Sequence, residues 1–289
     1  MIQFLKYKKI YHAISAIIIS IGLISIAFWG YTFSVDFVGG STLEYQLNKP
    51  ISKEMVVRSL ALQKITASEI TVKNTSLLIR SQALSTEQEQ KVKTDLEKQA
   101  SVSATVIRSQ TVGPVLGRET MIKTLTASAI AIAGILLYMA YAFKGFNFAV
   151  AAVVALFHDL LVVLGVYSLL SHFLGAQFDT LFVTAILTTM SFSVHDTIVI
   201  FDKIREYKKV YSAEQSELLA NRALTETLIR SINNSMTIIF MLLALILMGG
   251  STIKFFVVAL LIGTVTGTYS SPFVATPVWV WLEKRRKGK

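Results

Sequence analysis

Apolar runs separated by short charged segments set the pattern of this sequence. Six runs carry few ionisable residues: Ile10 to Gly30, Thr124 to Phe143, Phe146 to Leu170, Thr180 to Phe201, Ile232 to Met248 and Phe255 to Trp281. As a helix, each is long enough to cross a bilayer core of about 30 Å. The pattern predicts a membrane α-helical protein with six transmembrane helices. The first run follows Lys6, Lys8 and Lys9. It is too long for an ordinary signal-peptide core and no small-x-small cleavage site follows, so it reads as a retained anchor.

Between the first two runs the pattern changes. Ser41 to Leu47 reads as a strand. Ser52 to Gln63 opens on a capping serine and places Met55, Val56, Leu60 and Leu62 at near-helical spacing. Ile70 to Lys73 and Leu77 to Ser81 read as short strands around Asn74, and Ser85 to Gln99 as a charged helix with Val92 and Leu96 inward. Ala104 to Ser109 alternates as a last strand. The order βαββαβ predicts a small external α+β domain of the split βαβ, ferredoxin-like type. The expected organisation is an anchor (1–30), an external domain (31–123) and a five-helix membrane region (124–289) with a cytoplasmic loop at 202–230. The external segment has no nucleophile motif, paired-carboxylate pocket or phosphate loop, so it reads as something that binds or moves and the chain as no enzyme.

Charge adds orientation. Only 16% of the 289 residues are charged, yet the net charge is +10. Much of the excess flanks the apolar runs: Lys6, Lys8 and Lys9; Lys144; Lys203, Arg205, Lys208, Lys209 and Arg222; Lys284, Arg285, Arg286, Lys287 and Lys289. The opposite short loops, Ser171 to Asp179 and Gly249 to Lys254, hold only Lys254. The positive-inside rule puts both termini in the cytoplasm and residues 31–123 outside. These cations read as topology signals and contacts to anionic membrane lipids, not as a nucleic-acid surface, because no basic aromatic module accompanies them. Trp29, Trp279 and Trp281 fall near expected interfaces. With no cysteine and four scattered histidines, no metal or cofactor site is expected. No GxxxxGK[ST] is present, which disfavours an ATPase.

Ionisable groups inside a bilayer are expensive and point to function. Asp196 lies in the fourth run behind Thr184, Thr188, Thr189, Ser191 and Ser193; Thr189, Ser193 and Asp196 share a face by their 4-then-3 spacing. Arg230, Asn234 and Thr237 form a stripe at the start of the fifth run, with Asn233 adjacent. The two runs are antiparallel neighbours, so Asp196 is expected to meet Arg230. The pair reads as permanent glue or, preferably, as a proton relay. For His158 and Asp159, in the third run, both readings stay open. Gly263 and Gly267 suit close helix packing, and Pro272 and Pro277 predict a kink in the sixth run.

These residues resemble a known family. Residues 33–40 (FSVDFVGG) are similar to a DFxGG signature and residues 112–119 (VGPVLGRE) to a VGPxxGxE segment. Phe157, His158 and Asp159 match a family HD pair, Ser191 to Glu206 a fourth-span signature, and Asn221 to Leu224 with Leu228 to Arg230 the approach to the fifth span. All five, in order and with this topology, resemble the SecF family, the smaller of two paired subunits that assist the bacterial Sec protein-export channel. His195 stands where the family commonly has Asn, and Ser231 where it often has Thr.

The resemblance implies an RND-type helix bundle in the bacterial plasma membrane and a partnership with SecD. It also implies work beside the SecYEG channel on a translocating preprotein, driven by the proton-motive force through Asp196 and Arg230. His195, a titratable neighbour, and Asp159 are further relay candidates, with Thr189, Ser193, Asn234 and Thr237 as the supporting polar face. The competing expectations are a non-transporting scaffold and an RND-type small-molecule or lipid exporter.

Overall fold

A computed structural model describes residues 3–143, 145–211 and 215–287. Lys144 and Lys289, two of the cations used for orientation, lie outside the described residues. The chain forms two compact units, Met1–Thr32 with Ala127–Lys289, and Phe33–Thr126.

In chain order, a 3₁₀ turn at Phe4–Tyr7 leads into helix α1 (Lys8–Trp29), the two-residue strand β1 (Thr32–Phe33) and a single helical turn α2 (Val35–Val38). Strand β2 (Gly40–Leu47), helix α3 (Lys53–Leu62), strands β3 (Ala67–Lys73) and β4 (Ser76–Ser81), helix α4 (Thr86–Ala100) and strand β5 (Ala104–Val112) follow. Then come α5 (Pro114–Ala142), α6 (Phe146–Leu174), the short β6 (Gln177–Phe178), α7 (Thr180–Val210), α8 (Ser216–Met248), α9 (Lys254–Ser270) and α10 (Thr276–Lys287). Ser271–Ala275 forms a π turn between the last two.

In the second unit the sheet order is β3-β4-β2-β5, with each neighbouring pair antiparallel. Alternation along β2 turns Leu43, Tyr45 and Leu47 inward, where they meet Leu77 and Ile79 of β4. Val56 and Leu60 of α3 and Val92 and Leu96 of α4 close this core. Burial pushes the Tyr45 hydroxyl up to about 12. Both helices start where their serines cap them: Ser52 accepts from the Met55 N–H, and Ser85 forms a capping box with Gln88.

The glycines of the DFxGG and VGPxxGxE segments meet in this unit. A Cβ on Gly39 would lie 2.6 Å from the Pro114 Cα, and one on Gly117 would lie 2.7 Å from the Gly39 nitrogen. Gly39 also holds φ +76, a conformation glycine adopts without strain.

Among the described residues, six helices are long and apolar enough to cross a membrane: Phe4–Trp29, Pro114–Ala142, Phe146–Leu174, Thr180–Val210, Ser216–Met248 and Lys254–Arg286. The chain is a membrane helical protein. α6 and α7 form the packed centre, with Ala151, Ala155, Leu156, Phe182, Ala185 and Phe201 buried. Glycine sets two of the crossings. A Cβ on Gly22 of α1 would lie 2.7 Å from the Gly165 Cα of α6, and one on Gly263 of α9 would lie 2.2 Å from the Thr189 methyl of α7.

Three expectations need correction. Most of the loop expected at 202–230 is helical: α7 continues to Val210 and α8 begins at Ser216. Hydropathy drops there, but Ile204, Leu219, Ala220, Ala223 and Leu224 keep a buried helical stripe, and Lys203 bridges to Glu226 at 2.8 Å. The second span begins at Pro114, earlier than Thr124, because Pro fits the first turn of a helix. Trp279 is fully buried, stacked on Phe148 at 5.0 Å, whereas Trp29 and Trp281 are about half exposed. The segment around Pro272 forms the π turn, which accommodates the absence of an amide donor at that proline.

Candidate functional site

The polar groups of the bundle gather around two carboxylates. Asp159 of α6 is the more enclosed. Its Oδ1 lies 2.9 Å from His158 Nδ1, and its Oδ2 accepts from Ser193 of α7 (2.5 Å) and Ser270 of α9 (2.6 Å). His158 Nε2 lies 2.9 Å from Ser15 Oγ on α1. All five side chains are buried. Small residues make the gathering possible: Gly267, one turn before Ser270, lets α9 approach α7 so closely that a Cβ there would stand 3.2 Å from Ser193. A carboxylate out of water is tolerable only where donors replace the water it loses, and three do so here.

Asp196 is placed differently. Thr189, Ser193 and Asp196 are all buried on one side of α7. Thr189 turns its hydroxyl to the Ile186 carbonyl (2.9 Å) and Ser193 gives its own to Asp159. Among the described residues, no hydrogen bond or ion pair reaches the Asp196 carboxyl. It borders a small cavity of about 20 Å³ lined also by Phe192, His195, Asn234, Ser235 and Thr268. That is room for one water molecule. On the cavity's far wall, Thr268 donates to Ser235 at 2.6 Å.

The expected contact between Asp196 and Arg230 is not made. Arg230 is exposed, and so are Asn234 and Thr237, the rest of its stripe. In this stretch of α8, from 229 to 237, the buried positions are Ser231 and Ser235. Each residue turns a helix by about 100°, so a one-residue difference in phase moves Arg230 off the seam. Thr237 donates to the Asn233 carbonyl at 2.9 Å. His195 is exposed on α7, within the cavity's lining. Of the eight candidates, then, Thr189, Ser193, Asp196 and Asp159 are buried, Asn234 and His195 border the cavity, and Arg230 and Thr237 face away.

Residues that pattern alone did not single out complete the picture. Ser15, Ser270 and Ser271 carry hydrogen bonds inside the bundle, Ser271 meeting Thr197 at 2.8 Å. Glu283 on α10 is buried; it accepts from Lys208 (2.6 Å), Arg286 (2.7 Å) and Asn147 (2.9 Å). Its lone acidic character amid Lys284, Arg285 and Arg286 was the available signal. Among the described residues no three histidine or acidic side chains cluster closely enough to hold a metal.

Comparisons with known proteins agree with one another. A family model described as "Protein export membrane protein SecD/SecF, C-terminal" matches residues 91–285. The chain is 37% identical to "Protein translocase subunit SecF" of Thermobaculum terrenum, covering 99% of this chain and 95% of that one. The same description from Anaerolinea thermophila matches at 38% identity over 96% of this chain and 92% of the relative. Among solved structures, the crystal structure of SecDF, described as a translocon-associated membrane protein, from Thermus thermophilus superimposes with a TM-score of 0.86 at 30% identity. That match covers 98% of this chain but 39% of the SecDF chain. The chain thus spans nearly the whole of its SecF relatives and well under half of the longer SecDF protein.

Proposed function

The chain belongs to the SecF family of protein translocase subunits, and on that premise we propose that it is the smaller half of a proton-driven device for protein export. In this reading Asp196 takes and releases the proton, and its change of charge shifts the helices around it. The observation that carries the proposal is the state of Asp196: a buried carboxyl in a membrane span, with no hydrogen-bond or ion-pair partner among the described residues, beside a cavity sized for one water. A carboxyl held only as glue would be paired. One charge moved across 100 mV is worth about 2.3 kcal/mol, enough to bias a two-state bundle some tens-fold.

The exposed polar stripe of α8 supports a partner subunit. Arg230, Asn233, Asn234 and Thr237 would be costly against lipid. We propose that this stripe faces SecD, which is joined to the SecF portion in the longer SecDF relatives. Arg230 then serves the relay from that interface instead of pairing with Asp196 within the chain. His195 and Asp159 remain relay candidates in this proposal. The second unit, whose sheet order and antiparallel pairing suit a ferredoxin-like domain, is proposed to lie outside and act on the preprotein beside SecYEG, with both termini in the cytoplasm. The uneven distribution of Lys and Arg supports that orientation.

The test is export of a reporter protein in cells depleted of the chain and supplied with wild type or Asp196→Asn. Membrane abundance and co-purification with SecD are followed in the same cells. Export should fall at least tenfold with abundance and SecD binding kept. Restored export would overturn the relay. Loss of SecD binding would favour a scaffold.

A further inference from the structure

The Asp159 cluster has a property that ordinary buried ion pairs lack: its hydrogen bonds can all survive in two charge states. Asp159 accepts from Ser193 and Ser270, so its carboxylate is acceptor-only and His158 Nδ1 must be the donor to it. In the neutral ring Nε2 is then an acceptor, and the Ser15 hydroxyl 2.9 Å away supplies its hydrogen. If one proton is added at Nε2, the ring becomes an imidazolium that donates to Ser15 Oγ. The Ser15 hydrogen must then turn elsewhere, and a second acceptor is in place. The Tyr269 hydroxyl lies 3.3 Å from Ser15 Oγ and donates its own hydrogen to the Tyr11 carbonyl at 2.9 Å, which leaves its oxygen lone pairs available.

We infer that Ser15, His158 and Asp159 form a second proton-holding site, separate from Asp196, whose occupancy is switched by rotation of the Ser15 hydroxyl between His158 and Tyr269. The proton bound at Nε2 changes the pair from net negative to net neutral and breaks no hydrogen bond to the carboxylate. The site shares no side chain with the cavity at Asp196, but both rest on α7 and α9.

The groups facing it can be named element by element. From α1 come Tyr11, Ser15 and His12; His12 is one turn before Ser15 and is exposed. α9 supplies Tyr269 and Ser270, and α7 only the uncharged Ser193. His12 is therefore the exposed titratable group nearest to Ser15 along α1. The role in transport rests on the proton-coupled reading; the existence of the site does not.

Nitrogen-15 NMR of the full chain, histidine-labelled and held in lipid nanodiscs, tests it. The chain has four histidines, so His158→Asn assigns the signal. The His158 ring is expected to titrate and, when neutral, to carry its hydrogen on Nδ1, opposite to the form free imidazole side chains favour in water. Ser15→Ala, a mild change, should shift the titration midpoint by about half a unit or more, the scale of one lost hydrogen bond. Ser15→Thr should restore it. The experiment is repeated in Asp196→Asn protein. A titrating, Nδ1-protonated His158 in that background supports the site whether or not Asp196 drives export. A ring that stays in one state at every pH, an Nε2-protonated neutral form, or a midpoint unmoved by Ser15→Ala would overturn it and leave the Asp196 reading untouched.

Discussion

Asp159 and Asp196 lie in the same helix bundle, both buried, and the protein treats them in opposite ways. Asp159 is surrounded by donors from three helices. Asp196 has a cavity and no hydrogen-bond partner among the described residues. Burial alone therefore says little about a carboxyl's task. Saturated hydrogen bonding ties Asp159 to the packing of α6, α7 and α9, so its loss should be felt as stability. Asp196 contributes little to packing, so its loss should be felt as activity.

The largest expected effect is that of Asp159→Ala. It leaves the buried His158 N–H and Ser193 hydroxyl without their acceptor and Ser270 with only the Gly267 carbonyl, and should cost about 3–5 kcal/mol, at about 1–3 kcal/mol for each orphaned donor. Thermal unfolding in detergent would show it, and a Tm equal to wild type would end the contrast. Next is Gly263→Val, which drives a side chain into Thr189 and should cost about 1–3 kcal/mol. Adding Thr189→Ala should recover a good part of that loss; no recovery would mean that this contact does not set the α7–α9 spacing. Ser270→Ala removes one of the donors to Asp159 and should cost about 0.6 kcal/mol, the average for hydrogen bonds in a helical membrane protein. Asp196→Ala is expected to be the mildest, within about 0.5 kcal/mol, because it removes no hydrogen bond or ion pair to a described residue. A Tm drop as large as that of Asp159→Ala would show that Asp196 has a structural partner after all.

Much of the fold is legible in the sequence because each signal is local. The six spans are long apolar runs, and the capping serines Ser52 and Ser85 mark two helix starts of the second unit to the residue. Asp196 stands out for the same reason, as an ionisable group in an apolar run. What could not be read depends on helix phase or on distance along the chain. Arg230 and Ser231 are both polar, and nothing local says which one turns inward. Ser15, His158 and Ser270 meet although more than a hundred residues separate each from the next in sequence. Residues 202–230 look like a loop to hydropathy, which averages charge over a window, while their helical stripe of small and aliphatic residues persists.

The close approach of Gly39 to Pro114 and Gly117 brings the start of β2 beside the start of α5, within the second unit. Gly40 and Val112 continue that meeting as a directly paired position of the sheet. Everything between them is a closed excursion whose ends stay fixed whatever its length. A segment with adjoining ends can be enlarged, trimmed or replaced by another module while its ends stay together. The size of this part of the chain is thus free to vary independently of the bundle, and an engineered cassette joined between residues 40 and 112 would inherit the same anchorage.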